Sequence, residues 1–288
     1  MIRFLARFYD VDRRWLYLAM VVILSAPVLV SIPLPHGKTS PSTQALHDLV
    51  DSCPPDKVIL IDSSWDAGSA AENRAQLECV IRHICRKKTK FVVTSAGVTP
   101  FAPEFADQVI EPIAKEAGYI YGEDWVILGY KIAPPGSMGL LIDGICKDLH
   151  AMYPTDYREK KPVDQLPLMQ RVKSYKDFHF VYCVTYQPDN AWISFVKGQY
   201  DVPVAVGCMT IVAPSFYTFT DSGQLAGMLV GNRGAAEYEE LNRTPGLGRV
   251  LIMATSFGNL MIILAAIVGN LGFYAARALE RNSRRREG

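Results

Sequence analysis

The sequence lacks the short motifs that mark the best-known catalytic sites. It contains no G-x-S-x-G, no H-E-x-x-H and no phosphate-binding P-loop, which excludes the usual signatures of α/β-hydrolases, zinc proteases and P-loop nucleotide binders. Its five histidines lie in a predicted linker, in predicted helices or inside a strand, away from the strand ends where a base could serve a nucleophile. The sequence leaves catalysis open and favours a non-catalytic role.

Signs of metal binding and of disulfides are also scarce. No CxxC and no Cys/His spacing typical of zinc is present, so we predict no metal and no cofactor. Cys79 and Cys85 lie six residues apart on one predicted helix, and Cys183 and Cys208 lie in apolar strand-like runs, where cysteine packs as a small hydrophobe. We expect the six thiols to be mostly buried, with no more than one disulfide.

Net charge is nearly absent, but its distribution is uneven. Thirty Lys and Arg against 29 Asp and Glu give a net charge of +1. Short tails rich in Lys and Arg stay on the cytoplasmic side of a membrane. A basic tail directly after an apolar run favours contact with anionic lipid rather than with nucleic acid. The arginines that crowd the two ends are Arg3, Arg7, Arg13, Arg14, Arg277, Arg281, Arg284, Arg285 and Arg286.

Two apolar runs predict membrane spans. The run from Val250 to Ala276 has no charged residue, and about 20 apolar residues suffice to cross a bilayer as a helix. The run at residues 15–32 follows a basic tail and reads as an uncleaved anchor rather than a secretory signal, because no cleavage site is evident. Both termini are then predicted to be cytoplasmic and the middle to lie outside the cytoplasm, at the inner cell membrane.

The second span carries a seam of small and polar residues that predicts close helix packing. Small side chains let another helix approach, and an amide in lipid is costly unless bonded. We expect this seam to join copies of the chain or other subunits of a membrane complex. Its residues are Thr255, Gly258, Asn259, Ala265, Gly269, Asn270 and Gly272.

Between the spans, short β-rich apolar runs alternate with helical periodicity. This alternation predicts an α/β fold, a Rossmann-like three-layer sandwich with a mostly parallel sheet of about five strands, flanked by two transmembrane helices. The predicted strands are residues 57–61, 90–94, 125–130, 178–185 and 202–212. The predicted divisions are a tail at 1–14, a span at 15–32, a linker and short helix at 33–56, the α/β domain at 57–242, a juxtamembrane segment at 243–249, a span at 250–276 and a tail at 277–288.

Two segments of the domain receive more specific predictions. Residues 153–177 show little periodicity and are expected to form an irregular surface excursion. Residues 221–242 are expected to form a last helix, in which Gly223, Gly227 and Gly231 line one side at every fourth residue. Glycine inside a helix is destabilising, so such a row predicts close backbone approach, against the sheet or against a second subunit.

The carboxyl ends of the strands are the predicted ligand site, as in other open α/β sheets. Hydroxyls, backbone amides and carboxylates there suit a small polar or anionic ligand. The simpler interpretation, which the sequence favours, is that the same residues only cap helices and form turns. The candidates are Asp62, Ser63, Ser64, Trp65, Thr94, Ser95, Gly97, Tyr130, Gly136 and Ser137, the last two in a weak phosphate-loop candidate.

Three functions remain open. The first is a two-pass membrane protein whose extracytoplasmic domain binds a partner or ligand, as an accessory subunit of an oligomeric transport or energy-transducing complex. The second is a membrane-tethered hydrolase with its site near Asp62, Ser63 and Ser95. The third is a solute sensor that signals through its spans.

Overall fold

The computed structural model describes residues 12–29, 38–97, 99–134, 136–188 and 190–287. The chain divides into two compact units. Residues 37–249 form the α/β domain, and residues 1–36 together with 250–288 form the helical unit.

Six parallel strands form one sheet in the α/β domain, in the order β3-β2-β1-β4-β5-β6. The predicted α/β class and parallel sheet are confirmed, with six strands where the sequence predicted about five. This order is typical of doubly wound folds, and it reverses between β1 and β4. The strands are β1 Val58–Ser64, β2 Phe91–Ala96, β3 Trp125–Lys131, β4 Phe178–Thr185, β5 Val204–Cys208 and β6 Gly227–Val230.

Eleven α-helices occur in the described residues. They are α1 Arg13–Leu29, α2 Pro41–Asp51, α3 Ala70–Arg86, α4 Ala102–Glu116, α5 Met138–Lys147, α6 Leu149–Met152, α7 Pro167–Arg171, α8 Gly198–Tyr200, α9 Pro214–Asp221, α10 Gly231–Leu241 and α11 Leu247–Glu287. A π-helix, Ile193–Lys197, directly precedes α8, and short 3-10 turns lie at Val163–Gln165 and Tyr175–Asp177.

Helices cover both faces of the sheet, because successive side chains of a strand point to opposite sides. Val58 and Leu60 belong to a core that also includes Trp192, on the face where α5 contacts the π-helix. Ile61 points to the other face, as does its register partner Tyr182, whose hydroxyl bonds a backbone carbonyl of α3. Helix α3 contacts α4 and α10, and α10 contacts α2.

The predicted helix that carries Cys79 and Cys85 is α3, and its apolar side explains why it could be predicted. Leu77, Val80, Ile81 and Ile84 recur at helical spacing and are all fully buried. A helix with such a stripe is held mainly by packing of that stripe.

Residues 153–177 do not form the surface excursion that the sequence predicted. Tyr153, Leu168 and Met169 are buried in the core. The buried Asp156 accepts hydrogen bonds from the Tyr121 hydroxyl and from two nearby backbone N–H groups. The segment is irregular but internally bonded, so it packs inward although it lacks periodicity.

The predicted helix at 221–242 is wrong in its first half. Gly223 has a φ of +72° just after α9, Gly227 begins β6, and Gly231 has a φ of +54° at the start of α10. A Cβ on Gly227 would lie 2.8 Å from the backbone nitrogen of Leu46 in α2. Three different backbone requirements produced the four-residue spacing, and a short apolar run cannot be assigned to helix or strand by periodicity alone.

The predicted second span is a helix, and it extends beyond both predicted ends. Its stretch Leu247–Leu279 contains an 18-residue segment with a mean hydropathy of 2.2. Among the described residues it is the one helix long and apolar enough to cross a membrane. Helix α1 has 17 residues, and residues 30–32 of the predicted first span lie outside the described residues.

Within the helical unit, the predicted seam is partly buried and partly exposed. A Cβ on Gly258 would lie 3.0 Å from Cδ2 of Leu24 in α1, whereas a Cβ on Gly269 would meet nothing within 4 Å. The hydroxyl of Thr255 and the amide of Asn270 donate to carbonyls one turn earlier in their own helix. These two polar groups are therefore bonded without a second helix.

A buried carboxylate caps the first turn of α11 at residues 248 and 249, which belong to the α/β domain. Glu239 of α10 is 5% exposed. It accepts hydrogen bonds from the N–H groups of Gly248 at 2.8 Å and Arg249 at 2.9 Å. First-turn N–H groups have no partner within their own helix, so Glu239 caps α11 from outside. Burial raises the pKa of Glu239 to about 7, against the lowering effect of these bonds.

Candidate ligand-binding site

The carboxyl group of Asp62 lies at the carboxyl end of β1 and is 1% exposed. It accepts hydrogen bonds from the Ala96 N–H at 2.7 Å, the Trp192 indole N–H at 3.1 Å and the Ser64 hydroxyl at 2.8 Å. The Thr94 hydroxyl lies 3.4 Å away. All four groups are neutral donors, and a buried carboxylate is tolerated only when it is bonded in this way. Asp62 therefore ties together the ends of β1 and β2 and the turn that enters the π-helix.

Burial raises the pKa of Asp62 to about 7, although its hydrogen bonds act in the opposite direction. The group can thus take up or release a proton near neutral pH. The Ser64 hydroxyl also lies 3.0 Å from the carbonyl oxygen of Ala96, which gives it another acceptor when Asp62 is protonated. A carboxyl with a perturbed pKa in a crevice marks a candidate functional site.

Asp62 forms one wall of a crevice between β1 and β4, where the strand order reverses. This is the position at which open α/β sheets bind ligands. The lining combines hydroxyls, a side-chain amide and apolar side chains, and no lysine or arginine is among the described residues that form it. Its residues are Asp62, Ser64, Ala96, Gly97, Met138, Cys183, Thr185, Tyr186, Gln187 and Trp192.

The helix that borders this crevice departs from regular α-helical geometry. The helix that begins at Ala191 is π-helical from Ile193 to Lys197, and π-turns occur frequently at functional sites. The ring of Phe195 lies so close to Gly139 of α5 that a Cβ there would lie 2.0 Å from it. Glycine at 139 thus allows α5 and the π-helix to meet beside the crevice.

The structure brings together some of the sequence candidates. Asp62, Ser64 and Gly97 line the crevice, and Thr94 lies behind Asp62. A Cβ on Gly97 would lie 3.3 Å from the Ser64 hydroxyl oxygen, so a larger residue there would narrow the crevice.

Other candidates lie away from the crevice. Ser63 and Ser95 are 0% and 1% exposed, and their hydroxyls have no hydrogen-bond partner among the described residues. Ser63 points away from Asp62 because the two are neighbours on one strand. Trp65 is buried with its ring stacked on Phe105 at 5.4 Å. No substrate reaches these serines in this conformation, so they are poor nucleophiles.

The loop before α5 offers fewer polar groups to a ligand than the sequence suggested. The Ser137 hydroxyl donates to the Pro134 carbonyl at 2.7 Å, which stabilises the turn itself. Gly136 has a φ of +78°, a turn conformation that favours glycine. The Tyr130 hydroxyl is buried without a hydrogen-bond partner among the described residues.

Sequence reasoning missed Trp192, Met138 and Cys183 as lining residues. Trp192 follows β4 by seven residues and reaches Asp62 only because the chain folds back over β1. A tryptophan in a short apolar segment reads as core, so no sequence signal identifies it.

Comparison of the chain with models of protein families, with curated proteins and with solved structures finds no match.

Proposed function

We propose that the protein is a membrane-anchored ligand-binding protein whose α/β domain, a Rossmann-like three-layer sandwich, holds a small neutral polar molecule in the Asp62 crevice. The observation that carries this proposal is a fully buried carboxyl, bonded to four donors, at the point where the strand order reverses. The lining offers hydroxyl and amide groups to a ligand and no cation to an anion. A neutral polar ligand therefore fits better than an anionic one.

Membrane attachment is supported by the long apolar helix α11 and by the arginines at both ends of the chain. In this proposal α1 is a second, shorter anchor, both termini are cytoplasmic and the α/β domain lies outside the cytoplasm. A reporter enzyme fused after residue 150 is expected to be active only if it is exported. A reporter found in the cytosol would contradict this topology.

The role we propose is that of an accessory subunit in an oligomeric membrane complex. Exposed positions of the predicted seam, including Thr255, Asn259 and Gly269, leave room for contact with another helix in the bilayer. Mass measurement after purification in mild detergent tests this role. A lone monomer with no co-purifying protein would contradict it.

Ligand binding is tested by filling the crevice without removing a polar group. Gly97→Val places a branched side chain against Ser64, and Gly198→Val is the matched control because a Cβ at 198 meets nothing within 4 Å. The full chain is screened by thermal unfolding against neutral polyols, sugars and amides, and against inorganic phosphate and carboxylates. We expect a neutral solute to raise the melting temperature of the wild type and of Gly198→Val, but not of Gly97→Val. Stabilisation by anions alone would contradict the proposal.

One observation favours a hydrolase as second candidate. The Ser64 hydroxyl, unlike those of Ser63 and Ser95, lines the crevice and donates to Asp62, which resembles a nucleophile beside a base. Ser64→Ala separates the two functions. It would abolish hydrolysis, whereas a binding site would lose one hydrogen bond and weaken by about tenfold.

A further inference from the structure

A second cluster of polar side chains lies on the opposite face of the sheet, between α2 and α3. His47, Asp51 and His83 each present one potential ligand atom to a metal, and these atoms all lie within 4.8 Å of one another. His47 and Asp51 are one turn apart on α2, which places them on the same side of that helix. His83 comes from α3.

The carboxylate of Asp51 lies between the two imidazoles. Its Oδ1 is 3.2 Å from His83 Nε2, and its Oδ2 is 3.3 Å from His47 Nδ1. The two rings are stacked, with centroids 4.4 Å apart. Two imidazoles and one carboxylate therefore already converge, and a small adjustment would bring all three onto one ion.

His47 has a buried ring nitrogen that the protein groups around it do not satisfy. Its Nε2 is buried without a hydrogen-bond partner within the part of the chain that the structure describes, and its Nδ1 faces the Asp51 carboxylate without forming an aligned hydrogen bond. Buried polar atoms nearly always have a partner, and an exception calls for a water or an ion.

His83 is held as a metal ligand usually is. Its Nδ1 lies 2.8 Å from the hydroxyl of the buried Tyr238, and metal-bound histidines are typically oriented by a bond at their second nitrogen. With Nδ1 held in this way, Nε2 is the nitrogen that faces Asp51 and the centre of the cluster.

The surroundings also contain cations that a metal would displace or face. Lys87 Nζ lies 3.4 Å from Asp51 Oδ1, and its side chain is 39% exposed. It can move into solvent when an ion binds. Arg86 lies close enough to His83 to influence its pKa, but its guanidinium is bonded to Asn242.

We propose that His47, Asp51 and His83 bind one first-row divalent metal ion, of which Zn²⁺ is the best fit. Imidazole nitrogens select such ions over Mg²⁺ and Ca²⁺, and two histidines with one carboxylate are an established zinc set that leaves a fourth position for water. Asp51 is 44% exposed at its side chain, which gives the ion a path from solvent. The ion would clamp α2 onto α3.

The experiment uses the full chain, purified in mild detergent without a polyhistidine tag and stripped with a chelator. Zn²⁺ is titrated by calorimetry at pH 7.5, with Mg²⁺ as the negative probe. The variants are His47→Gln and Asp51→Asn, each of which keeps size and polarity. His179→Gln is the matched control, because His179 contacts the same helix through Leu49 but stands outside the cluster. Cys53→Ser excludes capture of zinc by the nearby, partly exposed thiol.

We expect one Zn²⁺ per chain in the wild type, His179→Gln and Cys53→Ser, and no heat from Mg²⁺. His47→Gln and Asp51→Asn should each weaken Zn²⁺ binding by at least about tenfold, with circular dichroism unchanged. Titration with Co²⁺ should give the intense visible bands of four-coordinate nitrogen and oxygen ligation. Absence of Zn²⁺ binding by the wild type, or binding that survives both ligand substitutions, would overturn the proposal.

Discussion

Asp62 and Glu239 are two buried carboxyls whose pKa values burial raises to about 7, yet their partners differ. Glu239 is held by backbone N–H groups at the first turn of α11. Asp62 is held by one backbone N–H and by side-chain donors. In both cases hydrogen bonds, rather than a neighbouring cation, offset the free-energy cost of burying a charge.

The difference separates a rigid contact from an adaptable one. Backbone donors in a packed helix turn cannot rotate, so Glu239 and residues 248 and 249 form a fixed contact within the α/β domain. A serine hydroxyl can rotate to another acceptor, so the surroundings of Asp62 can adapt to a change of protonation or to a ligand. The crevice also opens beside Asp62, which gives that adaptability a use.

Substitutions at the turn capped by Glu239 should reduce the free energy of unfolding more than substitutions around Asp62. A Cβ on Gly248 would lie 2.6 Å from the Ala235 Cβ and 2.9 Å from backbone. Gly248→Val must therefore push α10 and α11 apart and break the Glu239 cap, which should cost about 3 kcal/mol. Chemical unfolding of the full chain in detergent measures this cost. Gly198→Val, in open space, should change the free energy of unfolding by less than about 1 kcal/mol. Equal effects of Gly248→Val and Gly198→Val would show that α10 and the first turn of α11 are not tightly packed.

Asp62→Asn should lower the free energy of unfolding by about 2 kcal/mol at pH 7.5. The NH₂ group of the new amide replaces an accepting oxygen and so faces other hydrogen-bond donors. The same unfolding experiment measures it. Asp56→Asn is the control, since Asp56 is exposed near the amino end of the same strand. Asp62→Asn should also abolish stabilisation by whichever solute binds the crevice. A variant as stable as the wild type would mean that the four donors do not hold a carboxylate.

The two carboxyls should both make stability depend on pH in the same direction. A folded-state pKa of about 7 exceeds the unfolded value of about 4, so the folded chain keeps a proton that the unfolded chain releases. The stabilisation is complete below about pH 4 and is lost as the pH rises to about 7, at up to about 1.4 kcal/mol per pH unit for each group. Asp62→Asn and Glu239→Gln should each remove the contribution of one carboxyl to this decrease of stability with pH. Stability of the wild type that rises between pH 4 and 7, with no change in slope in the variants, would refute both pKa shifts.

Trp192→Phe should have the smallest effect, about 1 kcal/mol, because it removes one neutral hydrogen bond and keeps the aromatic packing. Since that bond lowers the pKa of Asp62, its loss should move the upper end of the Asp62 pH slope above 7. The pH series already described measures the shift. An unchanged midpoint would mean that Trp192 packs beside Asp62 without influencing it.

Much of this molecule could be predicted from patterns that repeat along the chain. Helix α3, the strands at the centre of the sheet and the helix of the second apolar run follow from periodicity and from long charge-free composition, because burial of a continuous stripe or run decides each of them locally. The meeting of the carboxyl ends of β1 and β2 at one edge of the sheet could be predicted for the same reason, since parallel topology places them together.

The tertiary structure alone decided which of those residues work together. Asp62 and Ser63 are adjacent in sequence and similar in polarity, yet one faces the crevice and the other a closed core, because the register of the sheet assigns them opposite faces. The indole of Trp192 meets Asp62, which is 130 residues away, and His83 meets Asp51, which is 32 residues away. The glycines at 223, 227 and 231 are evenly spaced in sequence, but each lies in a different secondary-structure environment. Contacts between distant segments are fixed by how the layers pack, and no local pattern in a single chain records that.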